Sequence, residues 1–197
     1  MPQREIAGCL ESHARLHAQL EGLDEETVRC PSLLPGWTVA HVLTHVARNA
    51  DSMVRRVTGA MNDQLLDQYI GGQAGRAADI DAGSRKPVDD LLNDVREADR
   101  AVDELFATLP TVIWDRPVST GDGRQAPAAH LAFARWREIE THHVDLGLGY
   151  TQANWPQDLV DRWLPQLVEG LVGRADQRQL MAWALGRASA PPLTTWG

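Results

Sequence analysis

Cysteine is scarce in this chain. Cys9 and Cys30 are the only two in 197 residues, too few for a disulfide framework and with no C-x-x-C pair, so both read as buried thiols in a reducing compartment and a cysteine-ligated metal is disfavoured. Lysine is scarcer still, with Lys86 alone among 19 basic residues. Positive charge is not in excess either: 27 acidic residues leave a formal charge of −8 and a pI near 5.3, which excludes the basic footprint that holds a phosphate backbone. No apolar run approaches the about 20 residues that span a bilayer, and the first residues, MPQREIAGCLESHARL, lack the ordered regions of a signal peptide. The expectation is a soluble, cytoplasmic protein with neither nucleic acid nor membrane as a partner. Alternating β-branched runs, internal repeats and low-complexity segments are absent as well.

What remains is 43% hydrophobic and 23% charged, the composition of a globular protein long enough to bury a core. Apolar residues recur at helical spacing in four long stretches. Ile6, Leu10, Ala14, His17 and Leu20 mark a first helix over 4–22. Thr38 reads as the N-cap of a second, about 38–61, whose stripe runs Val39, Val42, Leu43, Val46, Ala50, Met53, Val57. Pro87 opens a third with Val88, Leu91, Leu92, Val95, Ala98, Val102, Leu105 and Phe106. The fourth covers about 126–148, after a 114–124 segment that reads as a loop or a short hairpin ending in its Gly-Asp-Gly turn. The glycine-rich stretch 71–86 has no apolar period, follows no strand and lacks the lysine and hydroxyl of a phosphate loop, so it reads as a flexible connection. Beyond Pro156 a further helical pattern precedes a short helix at about 176–187. The fold class expected is all-α: an antiparallel four-helix bundle over 1–150 with a short, mainly helical C-terminal appendage over 151–197.

Chemistry concentrates in Arg135-Trp136-Arg137-Glu138-Ile139-Glu140-Thr141-His142-His143-Val144-Asp145. Glu138 and His142 stand four apart on one line with Leu131, Ala134 and Asp145. If that line faces the core, a buried carboxylate there needs a partner or a metal. His45, beside Val42 and Asn49 on the second helix, is also placed to face inward. Two histidines and one carboxylate from facing helices compose an open divalent-metal site with a position left for water or substrate. By spacing alone the same residues, with His41 and His143, could be satisfied interface groups. Glu140-x-x-His143 has di-iron spacing but no second copy, which disfavours a dinuclear centre, and no H-E-x-x-H or G-x-S-x-G motif supports a metalloprotease or serine hydrolase.

The run Leu34-Pro35-Gly36-Trp37-Thr38-Val39-Ala40-His41-Val42-Leu43-Thr44-His45-Val46-Ala47-Arg48-Asn49, with Arg137-Glu138 through His142-His143-Val144-Asp145-Leu146-Gly147, closely resembles the mycothiol-dependent maleylpyruvate isomerase family of DinB-like metal-binding bundles. The resemblance implies that His45, Glu138 and His142 hold a divalent metal, in that family usually zinc. It implies mycothiol, a low-molecular-weight thiol, as cofactor or cosubstrate of a small-molecule substrate. The activity expected is cis–trans isomerisation of maleylpyruvate to fumarylpyruvate. Mycothiol S-transfer to an electrophile and a non-catalytic metal-binding module are the alternatives. Gly186-Arg187 and Pro191-Pro192-Leu193-Thr194-Thr195-Trp196 resemble the family's C-terminal ending, by which Arg187 is a candidate for carboxylate binding in catalysis. The segment before Met181 is too short for the family's C-terminal strands, so this region is expected to be helical. His41 and Asp145 are possible orienters of the ligands, and Trp37 lines a pocket entrance or staples the helix start. A monomer or homodimer is expected.

Overall fold

The computed structural model describes residues 1–194, so Thr195 and Trp196 of the C-terminal motif lie outside the described residues. Two compact units divide the chain, Met1–Asn154 and Trp155–Gly197.

The first unit is built on four long helices. Helix α1 spans Gln3–Leu20, and α2, a five-residue helix Glu25–Arg29, follows at once because Asp24 accepts from the Thr27 N–H as its N-cap. Helix α3 spans Val39–Met61, α4 Gly72–Gly83, α5 Val88–Thr108 and α6 Ala129–Asp145. A two-stranded antiparallel ribbon, β1 (Pro117–Ser119) and β2 (Gln125–Pro127), sits before α6 with Val118 opposite Ala126. The α3 stripe from Val39 to Val57 is buried along its length and forms the spine of the core with Leu91, Val95, Val102, Phe106, Leu131 and Ile139. Helices α1, α4, α5 and α6 start without a side-chain cap, and the neighbours the helices choose follow from packing.

Contacts run α3 to α5, α1 to α6, α3 to α6 and α1 to α5, so the successive long helices α1 and α3 lie on a diagonal of the bundle. His13 with Asp103 and His17 with Asp99 make α1 and α5 antiparallel. His45 with Glu138 and Asn49 with Arg135 do the same for α3 and α6. Ser12 with Glu140 and Gln19 with His143 show α1 and α6 running the same way. Two helices therefore point each way, and α3 is parallel to its neighbour α5. A parallel neighbour cannot be reached by a short turn: the chain must travel back the length of a helix before starting again. Residues 62–87 make that return, and α4 is its middle.

Helix α4 corrects the expectation of a flexible 71–86 connection. Only Ile80 and Gly83 are buried on it, so it carries no apolar stripe for a periodicity argument to find. Its glycines serve close approach instead. A Cβ on Gly75 would fall 1.9 Å from the Ile70 carbonyl oxygen, and one on Gly83 would fall 2.4 Å from the Thr44 methyl. Cys30 is a second correction. Cys9 is buried as expected, but Cys30 is exposed, because it is the residue that ends α2, where its thiol donates to the Glu26 carbonyl.

The core also contains charge. Arg135 is fully buried and donates to Val46 O at 2.9 Å, Asn49 Oδ1 at 2.8 Å, His13 Nε2 at 3.2 Å and the Asp99 carboxylate. Asp99, also fully buried, accepts from His17 at 2.8 Å. One guanidinium thus ties α1, α3, α5 and α6 together within a turn of His45.

The second unit contains α7 (Gln157–Gly170) and α8 (Gln177–Ala184) joined by a short 3₁₀ turn, Leu171–Gly173. Among the described residues it holds no strand. No helix among the described residues is long and apolar enough to cross a membrane.

Candidate metal centre

Helices α3 and α6 face one another with His45 opposite Glu138 and His142. His45 Nε2 lies 2.9 Å from Glu138 Oε1 and 3.0 Å from His142 Nε2, and His142 Nε2 lies 3.5 Å from the same carboxylate oxygen. The three ligand-type atoms fall within 4.8 Å of one another. His45 is buried while Glu138 and His142 retain partial exposure, so one side of the cluster opens outward. Glu138 and His142 share a side because they are one helical turn apart, and His45 meets them because Arg135 pins α3 to α6 just beside it.

The protonation pattern leaves one proton for a metal to displace. Burial pushes the His45 imidazole down to about 4, with the cationic character of His142 and Arg76 acting in the same direction, so this ring is neutral at pH 7. Burial raises the Glu138 carboxyl, but hydrogen bonds from His142 and His45 outweigh it and hold the group well below the ordinary carboxylate range. Burial likewise lowers His142, but Asp145 and Glu138 overcome it and lift this imidazole to about 9. At pH 7 this ring is therefore protonated on both nitrogens: Asp145 accepts from Nδ1 at 2.8 Å, and the Nε2 proton, directed at His45 and Glu138, is the one a metal would displace. Two imidazole Nε2 atoms 3.0 Å apart beside a carboxylate oxygen satisfy one another poorly, because only one proton can sit between the nitrogens. A shared divalent cation satisfies all three at once. The set of two nitrogens and one oxygen fits zinc and its borderline neighbours.

The surroundings separate the other expected residues. Asp145 does orient a ring of the cluster. His41 does not: Thr38 N–H donates to its Nδ1 at 3.2 Å, the Thr38 hydroxyl is 2.7 Å from the same atom, and its Nε2 reaches Ser84 Oγ at 3.2 Å, so it closes the start of α3 and ties it to the end of α4. Trp37 lies edge-on to His45 with ring centroids 5.7 Å apart. Glu140 and His143 face α1, away from the cluster. Glu140 accepts from Ser12, from Arg15 at 2.6 Å and from the Tyr150 hydroxyl at 2.5 Å, and His143 stacks on Tyr150. Arg187 is exposed in the second unit, where its N–H closes the end of α8 on Ala182 O at 2.7 Å.

Arg76 was not among the residues that spacing pointed to. It lies on α4, and its Nη2 is 3.2 Å from His45 Nδ1. Only the returning crossover brings it there, and no motif announces it.

The mycothiol maleylpyruvate isomerase N-terminal domain model matches residues 9–147, which run from within α1 through α6 and contain all three clustered residues. The chain belongs to this family. The crystal structure of the mycothiol-dependent maleylpyruvate isomerase resembles it with a TM-score of 0.78 at 25% identity, over 84% of this chain and 72% of that one. A point mutant of that enzyme gives 0.77 at the same identity and coverage. YfiT from Bacillus subtilis, described as a probable metal-dependent hydrolase with an unusual four-helix bundle topology, gives 0.55 at 17% identity over 82% of this chain and 86% of that one, a likeness of fold. No significant match is found among curated protein sequences. The family is one of enzymes, and this member shares its all-α, DinB-like bundle.

Proposed function

We propose that this chain is a metal-dependent enzyme that uses a low-molecular-weight thiol, mycothiol, to isomerise maleylpyruvate or a related conjugated cis acid. The observation that carries the reading is the convergence of His45, Glu138 and His142 on one point, inside a bundle that belongs to the mycothiol maleylpyruvate isomerase N-terminal domain family.

His45 Nε2, Glu138 and His142 Nε2 would hold the metal, zinc by the borderline character of the donor set and its sulfur cosubstrate. The bound metal supplies one thing, a charge that keeps an entering thiol in its thiolate form at neutral pH. Asp145 keeps His142 in the tautomer that offers Nε2. The buried, neutral His45 fixes the inner wall, and the exposed side of Glu138 and His142 leaves room for thiol and substrate. The thiolate adds to the cis carbon–carbon double bond, the resulting single bond rotates, and expulsion of the thiolate restores the double bond in the trans geometry. Thiol is recovered, so the reaction is balanced without oxidant or reductant. Arg187, in the second unit, is a candidate for carboxylate binding on the family resemblance alone.

Metal-loaded protein should convert maleylpyruvate to fumarylpyruvate only when mycothiol is present, followed by loss of the cis acid's absorbance and by chromatography. A stable thioether formed with an epoxide or halide and no isomerisation would instead identify an S-transferase. Background rates on both kinds of substrate would leave a metal-binding module.

A further inference from the structure

Arg76 touches the cluster and, among the described residues, is paired with no carboxylate in a salt bridge. Its guanidinium lies 5.9 Å from the centroid of the Trp37 ring and 5.7 Å from that of Tyr69, a placement in which two aromatic faces fix its position without consuming its donors. Among the described residues its hydrogen bond is to His45 Nδ1 at 3.2 Å, and no acidic side chain pairs with it. The contrast with its neighbours is sharp: Arg48 is committed to Asp51 and Asp94, Arg56 to the Ser52 and Ser119 carbonyls, and Arg135 to Asp99.

That single hydrogen bond is incompatible with the ligand role of His45. A guanidinium only donates. When His45 gives its Nε2 lone pair to a cation, the proton of the neutral ring sits on Nδ1, and Nδ1 then donates as well. Two donors 3.2 Å apart need a common acceptor, and an anionic oxygen placed between them satisfies both. The remaining N–H groups of the planar fork suit the second oxygen of a carboxylate. Placement by α4 is built in, since the Gly75 contact with the Ile70 carbonyl packs the first turn of the helix against the loop that carries Tyr69.

We propose that Arg76 is the carboxylate-binding residue of this site, receiving one carboxylate of a small unsaturated acid between its guanidinium and the outer nitrogen of His45. The inference rests on the reading of the site as one for an anionic conjugated acid and names the residue in the bundle that selects it. Arg76 acts on substrate specificity, and the bundle therefore carries a substrate cation of its own, independent of Arg187.

The test uses full-length, zinc-loaded protein and maleate, a stable cis dicarboxylate, with binding read by calorimetry for the wild type, Arg76→Gln and Arg76→Lys. Metal content by elemental analysis and helicity by circular dichroism accompany each. Loss of one charge-assisted pair should weaken maleate by about tenfold or more in Arg76→Gln, with Arg76→Lys intermediate, zinc content unchanged, and the neutral dimethyl ester bound alike by all three. In turnover the KM for the acid should rise while kcat changes little. Maleate binding within twofold of wild type in Arg76→Gln would overturn the proposal, as would loss of zinc in that variant, which would make Arg76 a prop for His45. Arg76-dependent maleate binding without thiol-dependent isomerisation would leave this inference standing and defeat the isomerase reading. Isomerisation indifferent to Arg76 would do the reverse.

Discussion

Replacing Arg135 by methionine tests how the site is held. The side chain is fully buried and bridges three elements to α6 through Val46 O, Asn49, His13 and Asp99. Arg135→Met keeps most of the volume but leaves Asp99, itself fully buried, without its guanidinium, and leaves the Val46 carbonyl and Asn49 short of a donor. Removing one partner of a buried pair costs about 3–5 kcal/mol. With about 2–4 °C per kcal/mol for a chain of this size, the melting temperature should fall by about 6–20 °C. Asp99→Leu combined with Arg135→Met removes the stranded charge and should recover most of that loss, because an apolar pair of similar volume is often as stable as the ion pair it replaces. Urea and thermal melts at neutral pH, followed by circular dichroism and tryptophan fluorescence, give the free energy and the melting temperature. A single variant within about 1 kcal/mol of wild type, or a double variant less stable than the single, would refute the claim that this charge cluster sets the α3–α6 register.

Three further outcomes follow from the same geometry. Asp145→Asn removes the carboxylate that orients His142 Nδ1 and should weaken zinc affinity by about 10–100-fold in a chelator competition, with little change in helicity; unchanged affinity would show that the ring needs no such partner. Gly75→Ala places a methyl group against the Ile70 carbonyl oxygen and should cost about 1–3 kcal/mol in urea melts while raising protease sensitivity within 62–87; a wild-type cleavage pattern would contradict the account of α4. Acid stability should report Asp99. Burial raises its carboxyl, but Arg135, His17 and His13 outweigh that and hold it below the ordinary carboxylate value. A carboxyl depressed in the folded state contributes stability above the unfolded pKa and loses it as pH falls through the folded one. Unfolding free energy should therefore drop from about pH 5 downward, less steeply in Asp99→Asn, and equal slopes for the two proteins would count against it.

That His45, Glu138 and His142 lie together was partly legible from helical geometry, since a four-residue interval puts Glu138 and His142 on one side and the stripe of Val42 and Val46 turns His45 inward; naming them as metal ligands came from the family resemblance. The role of Asp145 was legible for the same reason. Spacing could not separate His41 from His45, since both lie on the inward side of α3, and only the contact with Thr38 and Ser84 shows that His41 is spent on the helix start. Bundle topology was not legible, because a stripe tells that a helix is buried and not which neighbour buries it. The parallel pairing of α3 with α5 is what demands the long crossover, and the crossover is what delivers Arg76. Helix α4 escaped periodicity because it packs through glycines rather than through a leucine face. Cys30 escaped because a residue type that is usually buried here ends an exposed five-residue helix.

The central claim is that His45, Glu138 and His142 form one metal site, and its most direct test is metal stoichiometry. Full-length protein without an affinity-tag histidine run, supplied with zinc and then dialysed, should retain about one zinc per chain by elemental analysis, and His45→Ala should retain none while keeping its helicity. No bound metal in the wild type, or the same content in His45→Ala, would contradict the account.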